Sequence, residues 1–481
     1  MIEFLLNQEP VRVDDSQADL TVLEYLRNQR HLTGTKEGCA SGDCGACTAV
    51  LGSIHGDTIE YRHFNSCITF LGAIHGKQLI TVDHLKQKGK LHATQKAMVD
   101  HHGSQCGFCT PGFIMSLFAL QKDGDSKWGE TEQKHKIDEY LAGNLCRCTG
   151  YRPIIDAAKD VLSQDVGDQY DAAAADTAQT LTDIGSAVDN KNFFLPDSAE
   201  GLAEILSKNP GTRLLGGGTD LALEVTQQLR SLEKIAYVGN ITELKQIREA
   251  DGEIRIGSAV DLLELELHLG NRFPELVTLL HRFGSRQVRG QATIGGNIAN
   301  ASPIGDLPPV LIALNASLEL QDVGGRRCIP VDDFFLDYRV TALAPGEFIR
   351  EIIIPVSNAG SNLKIYKISK RIEDDISAVC LACQIEVTDG VIQSASMAFG
   401  GMAAIPKRAA ECERNLAGKP FSAATLDAAQ EALSRDFQPI DDVRASATYR
   451  IQVAKNLLQR LRLELSEPDA LTQVASVNHG Y

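Results

Sequence analysis

The sequence predicts a multidomain α+β chain, and three observations carry that prediction. Its 481 residues allow about three domains at roughly 150 residues each. Strand-like alternation and helix-like periodicity occupy separate blocks along the chain. Eight of the 12 cysteines fall within the first 148 residues, in short glycine-flanked groups, so the front of the chain differs in kind from the rest.

Residues 1–75 open with Ile2, Phe4 and Leu6 on one face, then Asn7-Gln8-Glu9-Pro10, then Val11 and Val13. This pattern predicts a β-hairpin. Thr21-Val22-Leu23-Glu24 has the form of a capping box and starts a helix carrying Leu23 and Leu26. A loop rich in Gly and Cys follows from Gly34 to Cys47, then more strand. Residues 76–163 read as helical. Thr110 is the expected N-cap with Pro111 in first helical position, a second helix runs from about Glu132 to Leu141, and another starts near Pro153. Residues 164–190 are rich in Asp, Ala and Gln with little apolar periodicity, and read as a linker with some helix. Residues 191–358 alternate short apolar runs with Gly clusters and helical patterns, an α/β signature. Within them Phe348 to Ile354 reads as a strand ending at Pro355. Residues 359–470 place strands (Ala378 to Val387, Val391 to Phe399) before helices (Ala423 to Leu433, Thr448 to Leu463), an α+β piece.

Composition excludes several classes. With 47 basic against 63 acidic residues the net charge is −16, which argues against a binder of nucleic acid or anionic membrane. No apolar run approaches the roughly 18 residues of a membrane span. Met1-Ile2-Glu3 opens neither a basic n-region nor an h-region, so a cytoplasmic chain with reduced thiols is expected. Clustered cysteines in that setting bind metal or do redox chemistry.

Cys39, Cys44 and Cys47 are spaced C-x4-C-x2-C, with Cys67 further on. This is the plant-type [2Fe–2S] pattern. Four thiolates must wrap a compact cluster, so the loop has to bend tightly and turn amides toward sulfur. Gly38, Gly42 and Gly45 are expected to give that freedom. The rival, a zinc knuckle, usually shows two close Cys pairs. Cys106-Gly107-Phe108-Cys109 and Cys146-Arg147-Cys148 form C-x2-C and C-x-C at helix ends, where positive helix N-termini favour thiolates. Alone, this group also fits a structural zinc site; beside a plant-type cluster, a second Fe–S centre is the better reading. Cys328, Cys380, Cys383 and Cys412 are expected to be buried small hydrophobes, with Cys380 and Cys383 on opposite faces of a strand. His101 and His102 are read as surface groups.

Longer stretches carry a resemblance. Gly34-Thr35-Lys36-Glu37-Gly38-Cys39, Gln105-Cys106-Gly107-Phe108-Cys109-Thr110-Pro111-Gly112 and Gly143-Asn144-Leu145-Cys146-Arg147-Cys148-Thr149-Gly150-Tyr151 resemble the Fe–S domains of the molybdenum hydroxylases, of which xanthine dehydrogenase is the best-known member. The resemblance covers about residues 1–470. It implies a β-grasp ferredoxin-like domain, a four-helix-bundle 2Fe–2S domain, a two-part α/β FAD-binding domain and a C-terminal α+β domain. Leu214, Leu215, Gly216, Gly217, Gly218, Thr219, Asp220 and Leu221 are similar to the family's first FAD loop, where consecutive glycines let amides approach a pyrophosphate. Gly218 departs from members with a polar side chain there. The stretch from Thr293 to Asp306, with Gly295, Gly296, Asn297, Asn300 and Ser302, matches the second FAD segment. The match implies that Thr293, Asn297 and nearby amides hold phosphate or ribose and that Asp306 contacts FAD. It also sets Phe283 on the adenine, and Ile349 and Lys367 near the isoalloxazine. Glu373-Asp374-Asp375-Ile376 is similar to an acidic segment beside the flavin, which puts Asp374 among the FAD-site residues.

The chain stops where single-chain members continue into molybdopterin domains. It therefore resembles the small subunit of a split, bacterial-type xanthine dehydrogenase with a large molybdopterin-binding partner in an α2β2 heterotetramer. Gln105 and Cys148 match positions facing the pterin. The implied activity is oxidation of hypoxanthine and xanthine to urate by the holoenzyme, with electrons passing through two 2Fe–2S clusters to FAD and then to NAD+. No G-x-G-x-x-G is present, so NAD would lie over the flavin rather than on a Rossmann fingerprint. No catalytic acid or base is assigned to this chain. The rivals are an aldehyde, nicotinate or CO-type hydroxylase subunit, a self-contained Fe–S flavin reductase, and a zinc-stabilised binding scaffold.

Overall fold

A computed structural model describes the chain apart from residues 57, 125–127, 165–166, 185–190, 357–361, 468, 471 and 473–481. Parts of the expected linker and of the junction at 358/359 thus lie outside the described residues. The chain forms two compact units. One comprises Met1–Lys245, Asp261–Glu264 and Gly284–Thr293; the other comprises Gln246–Val260, Leu265–Phe283 and Ile294–Tyr481.

In the first unit the expected hairpin forms as Ile2–Leu6 and Glu9–Val13, with Phe4 opposite Val11. It joins a five-stranded sheet in the order Glu9–Val13, Ile2–Leu6, Gln78–Ile80, Thr48–His55, Thr58–Asn65. The strand Gln78–Ile80 pairs parallel to Ile2–Leu6, so this sheet reaches past residue 75. Thr21 accepts a hydrogen bond from the Glu24 amide and caps the turn Val22–Glu24, which continues as the π-turn Tyr25–Gln29. Leu23 and Leu26 are buried beneath it, and the Phe4 and Tyr25 rings meet edge to face at 5.9 Å. A mixed sheet clasping one helix is the β-grasp arrangement the resemblance implies.

The helices Ala93–Asp100, Thr110–Asp123, Glu130–Leu141 and Arg152–Leu162 form the expected bundle around Phe113, Leu117, Phe118, Ile137, Ile154 and Val161. One boundary differs. Thr110 is already helical and Cys109 takes the N-cap position, with Pro111 in the first turn. The expected linker is also largely ordered as Gln169–Ala172 and Ala174–Ile184. Its anchors are the buried side chains of Tyr170, Thr177 and Leu181, of which two are apolar, and the carboxylate of Asp168, which meets Lys122 Nζ at 2.8 Å and His92 Nε2 at 3.0 Å. Two apolar anchors are too few to register as periodicity. A parallel three-stranded sheet, in the order Phe193–Phe194, Ile235–Tyr237, Arg213–Leu215, completes the unit.

The second unit holds a five-stranded antiparallel sheet in the order Gly325–Pro330, Ser317–Asp322, Phe348–Pro355, Glu253–Gly257, Ile247–Ala250. Phe348–Pro355 is central and buried up to Ile354, Arg350 and Glu351 included. A second sheet runs Leu363–Ile368, Val379–Thr388, Val391–Gly400, Lys407–Arg408 and packs against Ala410–Leu416, Ala423–Asp436 and Ala447–Ser466. Cys383 and Cys412 lie in this core and Cys380 is also buried. Cys328 is exposed, contrary to expectation, because its strand is the edge of the first of these sheets. Among the described residues no helix is long and apolar enough to cross a membrane.

Candidate cofactor-binding sites

The loop between the Val22–Glu24 turn and the Thr48–His55 strand gathers the first four thiols. Cys47 Sγ lies 3.2 Å from Cys67 Sγ, and the amides of Ser41 and Asp43 point at Cys39 Sγ from 3.5 and 3.3 Å. Gly42 and Gly45 adopt left-handed backbone (φ +83° and +67°), as the turn requires. Gly38 does not; it is needed for space, since a Cβ there would come 2.7 Å from Cys44 Sγ. Asn65 donates to the Gly42 carbonyl at 2.8 Å and braces the loop. The thiols perturb one another. Cys39 is drawn far below the ordinary thiol range by Cys44 and Cys67, while Cys44 is driven up by Cys39. Cys47 is drawn down by Cys67, and Cys67 is driven up by Cys39 and Cys47. Two of the four thiols thus favour the thiolate and two hold their protons, which a bound metal would displace.

The second four thiols also converge. Cys106 is drawn down by the Phe108 amide and by Cys148, and Cys148 is driven up in return. Cys109 is pushed up to about 12 by burial and by Cys146. Burial also raises Cys146, but the Thr149 hydroxyl at 3.2 Å and amide at 3.5 Å outweigh it and pull the thiol down. The two groups differ in exposure: Cys47 and Cys67 are buried, Cys106 and Cys148 exposed. His102 is exposed, and His101 pairs with Asp160 at 3.2 Å, both at the surface as expected.

The two groups adjoin. The Leu145 amide, next to Cys146, donates to the Cys44 carbonyl at 3.0 Å, and an atom built on Gly38 would lie 3.7 Å from the Phe108 ring. On the other side of the first group, Gln227 donates to the Ala40 carbonyl at 3.0 Å. Gln227 ends the short helix Ala222–Thr226, which follows the glycine loop directly.

In that loop Leu214 and Leu215 close a strand, and Gly216 to Leu221 lead into the helix. A Cβ on Gly217 would come 1.7 Å from the Gln291 carbonyl, so only glycine fits. One on Gly216 would come 3.0 Å from Thr293 Oγ1. Gly218 has φ +77°, which explains the departure: a side chain there would strain the backbone. With no side chains at Gly216 and Gly217 the backbone there is uncovered, a feature an anion-binding loop requires, and Thr219 and Asp220 follow in the same loop.

The remaining residues lie in the second unit. Gly295, Gly296 and Asn297 form the turn of helix Ile294–Ala299, with Gly295 pressed on Ser258, where a Cβ would come 2.5 Å from the Ser258 Cβ. Asn297 Oδ1 is buried with no hydrogen-bond partner, an amide end that suits a polar ligand. Asn300 and Ser302 flank Ala301, and Ser302 Oγ accepts from the Ile304 amide at 3.4 Å. Asp306 is buried between Lys367 Nζ at 2.5 Å and Ser377 Oγ at 2.6 Å. Ile349 is buried in its strand, and Phe283 is half-buried. The residue before it, Arg282, donates to the carbonyls of Lys367 and Ile372, both at 2.9 Å. In the acidic segment Asp374 adopts φ +49° and Asp375 accepts from the Arg371 amide at 2.8 Å. Ser377 and Arg282 escaped the sequence reading because their partners lie 71 and 85 or 90 positions away.

Comparison with known proteins identifies the domains that carry these residues. Family models match in sequence: a 2Fe-2S iron-sulfur cluster binding domain over residues 4–72, a [2Fe-2S] binding domain over 81–159, the FAD binding domain in molybdopterin dehydrogenase over 188–357, and the CO dehydrogenase flavoprotein C-terminal domain over 364–465. Xanthine dehydrogenase of Emericella nidulans is 35% identical across 95% of this chain and 38% of its own length. That of Oryza sativa is 31% identical across 88% and 36%. The chain thus spans a little over a third of these relatives. Among solved structures, CO dehydrogenase from Oligotropha carboxidovorans aligns with TM-score 0.54 and 27% identity over 57% of this chain and 96% of that one. Quinoline 2-oxidoreductase from Pseudomonas putida 86 shares the fold, with TM-score 0.54 and 22% identity over 59% of this chain and 99% of that one. Two 2Fe–2S domains followed by an FAD-binding domain and its C-terminal companion, on the fold described above, make this chain a member of the molybdenum hydroxylase family, in its iron–sulfur and FAD portion.

Proposed function

We propose that the chain is the electron-transfer subunit of a cytoplasmic NAD-dependent xanthine dehydrogenase. Its partner is a large molybdopterin-binding subunit, two copies of each forming the complex, and the holoenzyme oxidises hypoxanthine and xanthine to urate. The observation that carries the reading is the run of contacts within one unit: the second thiol group to the first through Leu145 and Cys44, and the first to the glycine loop through Ala40 and Gln227. When bound, iron–sulfur clusters carry electrons singly and FAD passes them as a hydride to NAD+.

In this reading Cys106, Cys109, Cys146 and Cys148 hold the cluster nearer the partner, and Cys39, Cys44, Cys47 and Cys67 hold the other. The amides of Ser41, Asp43 and Thr149 stabilise anionic sulfur, a lever that raises reduction potential. The Gly216–Gly217 backbone of the first unit would hold pyrophosphate; in the second unit Asn297 is the candidate for ribose, and Lys367, fixed by Asp306, the candidate for the isoalloxazine. A subunit of another hydroxylase is the second reading, favoured by the structural likeness to CO dehydrogenase.

The test is to purify the chain with its large partner and assay NAD reduction. Iron, acid-labile sulfide, a flavin spectrum and xanthine-dependent NADH formation are expected. NAD reduction with an aldehyde alone would move the assignment to the second reading, and a colourless zinc protein would end both.

A further inference from the structure

We propose that Asn144 is a positioning residue that sets the spacing of the two cysteine loops, and so of the two clusters; this rests on the functional reading above. Asn144 is 2% exposed, yet all of its side-chain polar capacity toward the protein is engaged. Its Nδ2 donates to the Gly45 carbonyl at 3.0 Å and to Thr48 Oγ1 at 3.2 Å. Its Oδ1 accepts from Ser116 Oγ at 2.7 Å and from Gln287 Nε2 at 3.0 Å. Gly45 lies between Cys44 and Cys47, Thr48 follows Cys47, and Ser116 is on the helix that Cys109 caps. Asn144 itself stands two residues before Cys146. One amide therefore ties the loop of the first group to both halves of the second.

The surroundings are built for this contact. A Cβ on Gly112 would come 2.2 Å from the Gly45 carbonyl and 3.1 Å from Asn144 Nδ2, and one on Gly45 would come 2.2 Å from the Gly143 carbonyl. Three backbones meet around the amide with no side chain between them. The adjacent Leu145 amide then reaches the Cys44 carbonyl, leaving one hydrogen bond between residues that neighbour or are ligands of the two groups. Electron exchange between two centres falls steeply with their separation, so a residue that fixes this gap governs it without touching either centre.

The experiment uses the full chain with its iron, reduced with dithionite and examined by low-temperature electron paramagnetic resonance. Two reduced clusters held close split one another's signals. In Asn144→Leu that splitting is expected to be lost, with iron, sulfide and the visible spectrum of both centres at wild-type levels. Ser116→Ala, which removes one bond to Oδ1, is expected to narrow it. An unchanged splitting in an iron-replete Asn144→Leu chain overturns the proposal. If that variant does not fold, Ser116→Ala decides, and an unchanged splitting there overturns it too. A wild-type chain with both clusters and no splitting overturns the close spacing on which the proposal depends. A wild-type chain without iron fails the functional reading itself, a distinct result.

Discussion

At the scale of single residues, the Lys367–Asp306 pair has the sharpest consequence. Both side chains are almost wholly withdrawn from water (2% and 5% exposed), and Ser377 takes the second oxygen of the carboxylate. Removing one member of a buried pair strands the other charge, at a cost of about 3–5 kcal/mol. Lys367→Met is therefore expected to lower the unfolding free energy by about that amount and to reduce the flavin retained on purification, read by chemical denaturation and by flavin-to-protein ratio. Asp306→Asn keeps a hydrogen-bond acceptor for Lys367 but strands its charge, and is expected to destabilise by a similar amount. This pair was half legible in the sequence. The long match from Thr293 to Asp306 marked Asp306, and a separate match marked Lys367, but nothing in the sequence joined them, because residues 61 apart reveal no contact without a fold. Gly38 shows the opposite limit: its type was legible and its reason was not, since the space beside a sulfur is visible only once the loop is built.

At the scale of elements, the contact of the helix Glu130–Leu141 with strand Thr58–Asn65 and the segment 284–293 is acid-sensitive. His63 is buried against the Tyr140 ring, 4.9 Å away, and is pushed down from 6.5 to about 3 by burial and by the Arg286 guanidinium. Its neighbour Glu139 is raised by burial, but Arg286, Lys136 and Arg289 outweigh this and hold it down to about 2. Both shifts have the same sign for folding. The unfolded chain takes up a proton that the folded chain refuses, so stability present above pH 6.5 falls as pH drops toward 3 for His63, and from 4.5 toward 2 for Glu139. Between pH 6.5 and 4.5 only the histidine contributes of the two. His63→Gln is expected to flatten the loss there by up to roughly 1.4 kcal/mol per pH unit, measured by denaturant unfolding at stepped pH.

Element type was largely legible: the hairpin, the bundle helices and the buried Phe348–Pro355 strand follow from period and punctuation. What escaped was order held by polar groups. Asp168 fixes the Gln169–Ala172 helix through Lys122 and His92, and a search for apolar periods cannot detect such an anchor.

At the scale of the molecule, the order of domains was legible and the division into units was not. Motif wording gave two cysteine domains, an FAD-binding part and a terminal companion in sequence. The short segments Asp261–Glu264 and Gly284–Thr293 belong to the first unit although the residues around them belong to the second, and no change of composition marks those crossings. The thiol groups also differ at this scale. In the metal-free chain under native conditions, iodoacetamide is expected to label Cys106 and Cys148, together with the exposed Cys328, well before Cys47 and Cys67, as read by peptide mass mapping. Equal labelling of all five would contradict the burial described.

That asymmetry of exposure gives the two thiol groups different vulnerability. The inner thiols, Cys47 and Cys67, sit in the core of the first sheet, so a metal centre bound there would be shielded on that side by the folded domain. Cys106 and Cys148 face solvent, so a reagent reaches the second group without the first sheet opening. A partner docked over that end, as proposed, would be the shield of Cys106 and Cys148 from oxidants, whereas the first group carries part of its own.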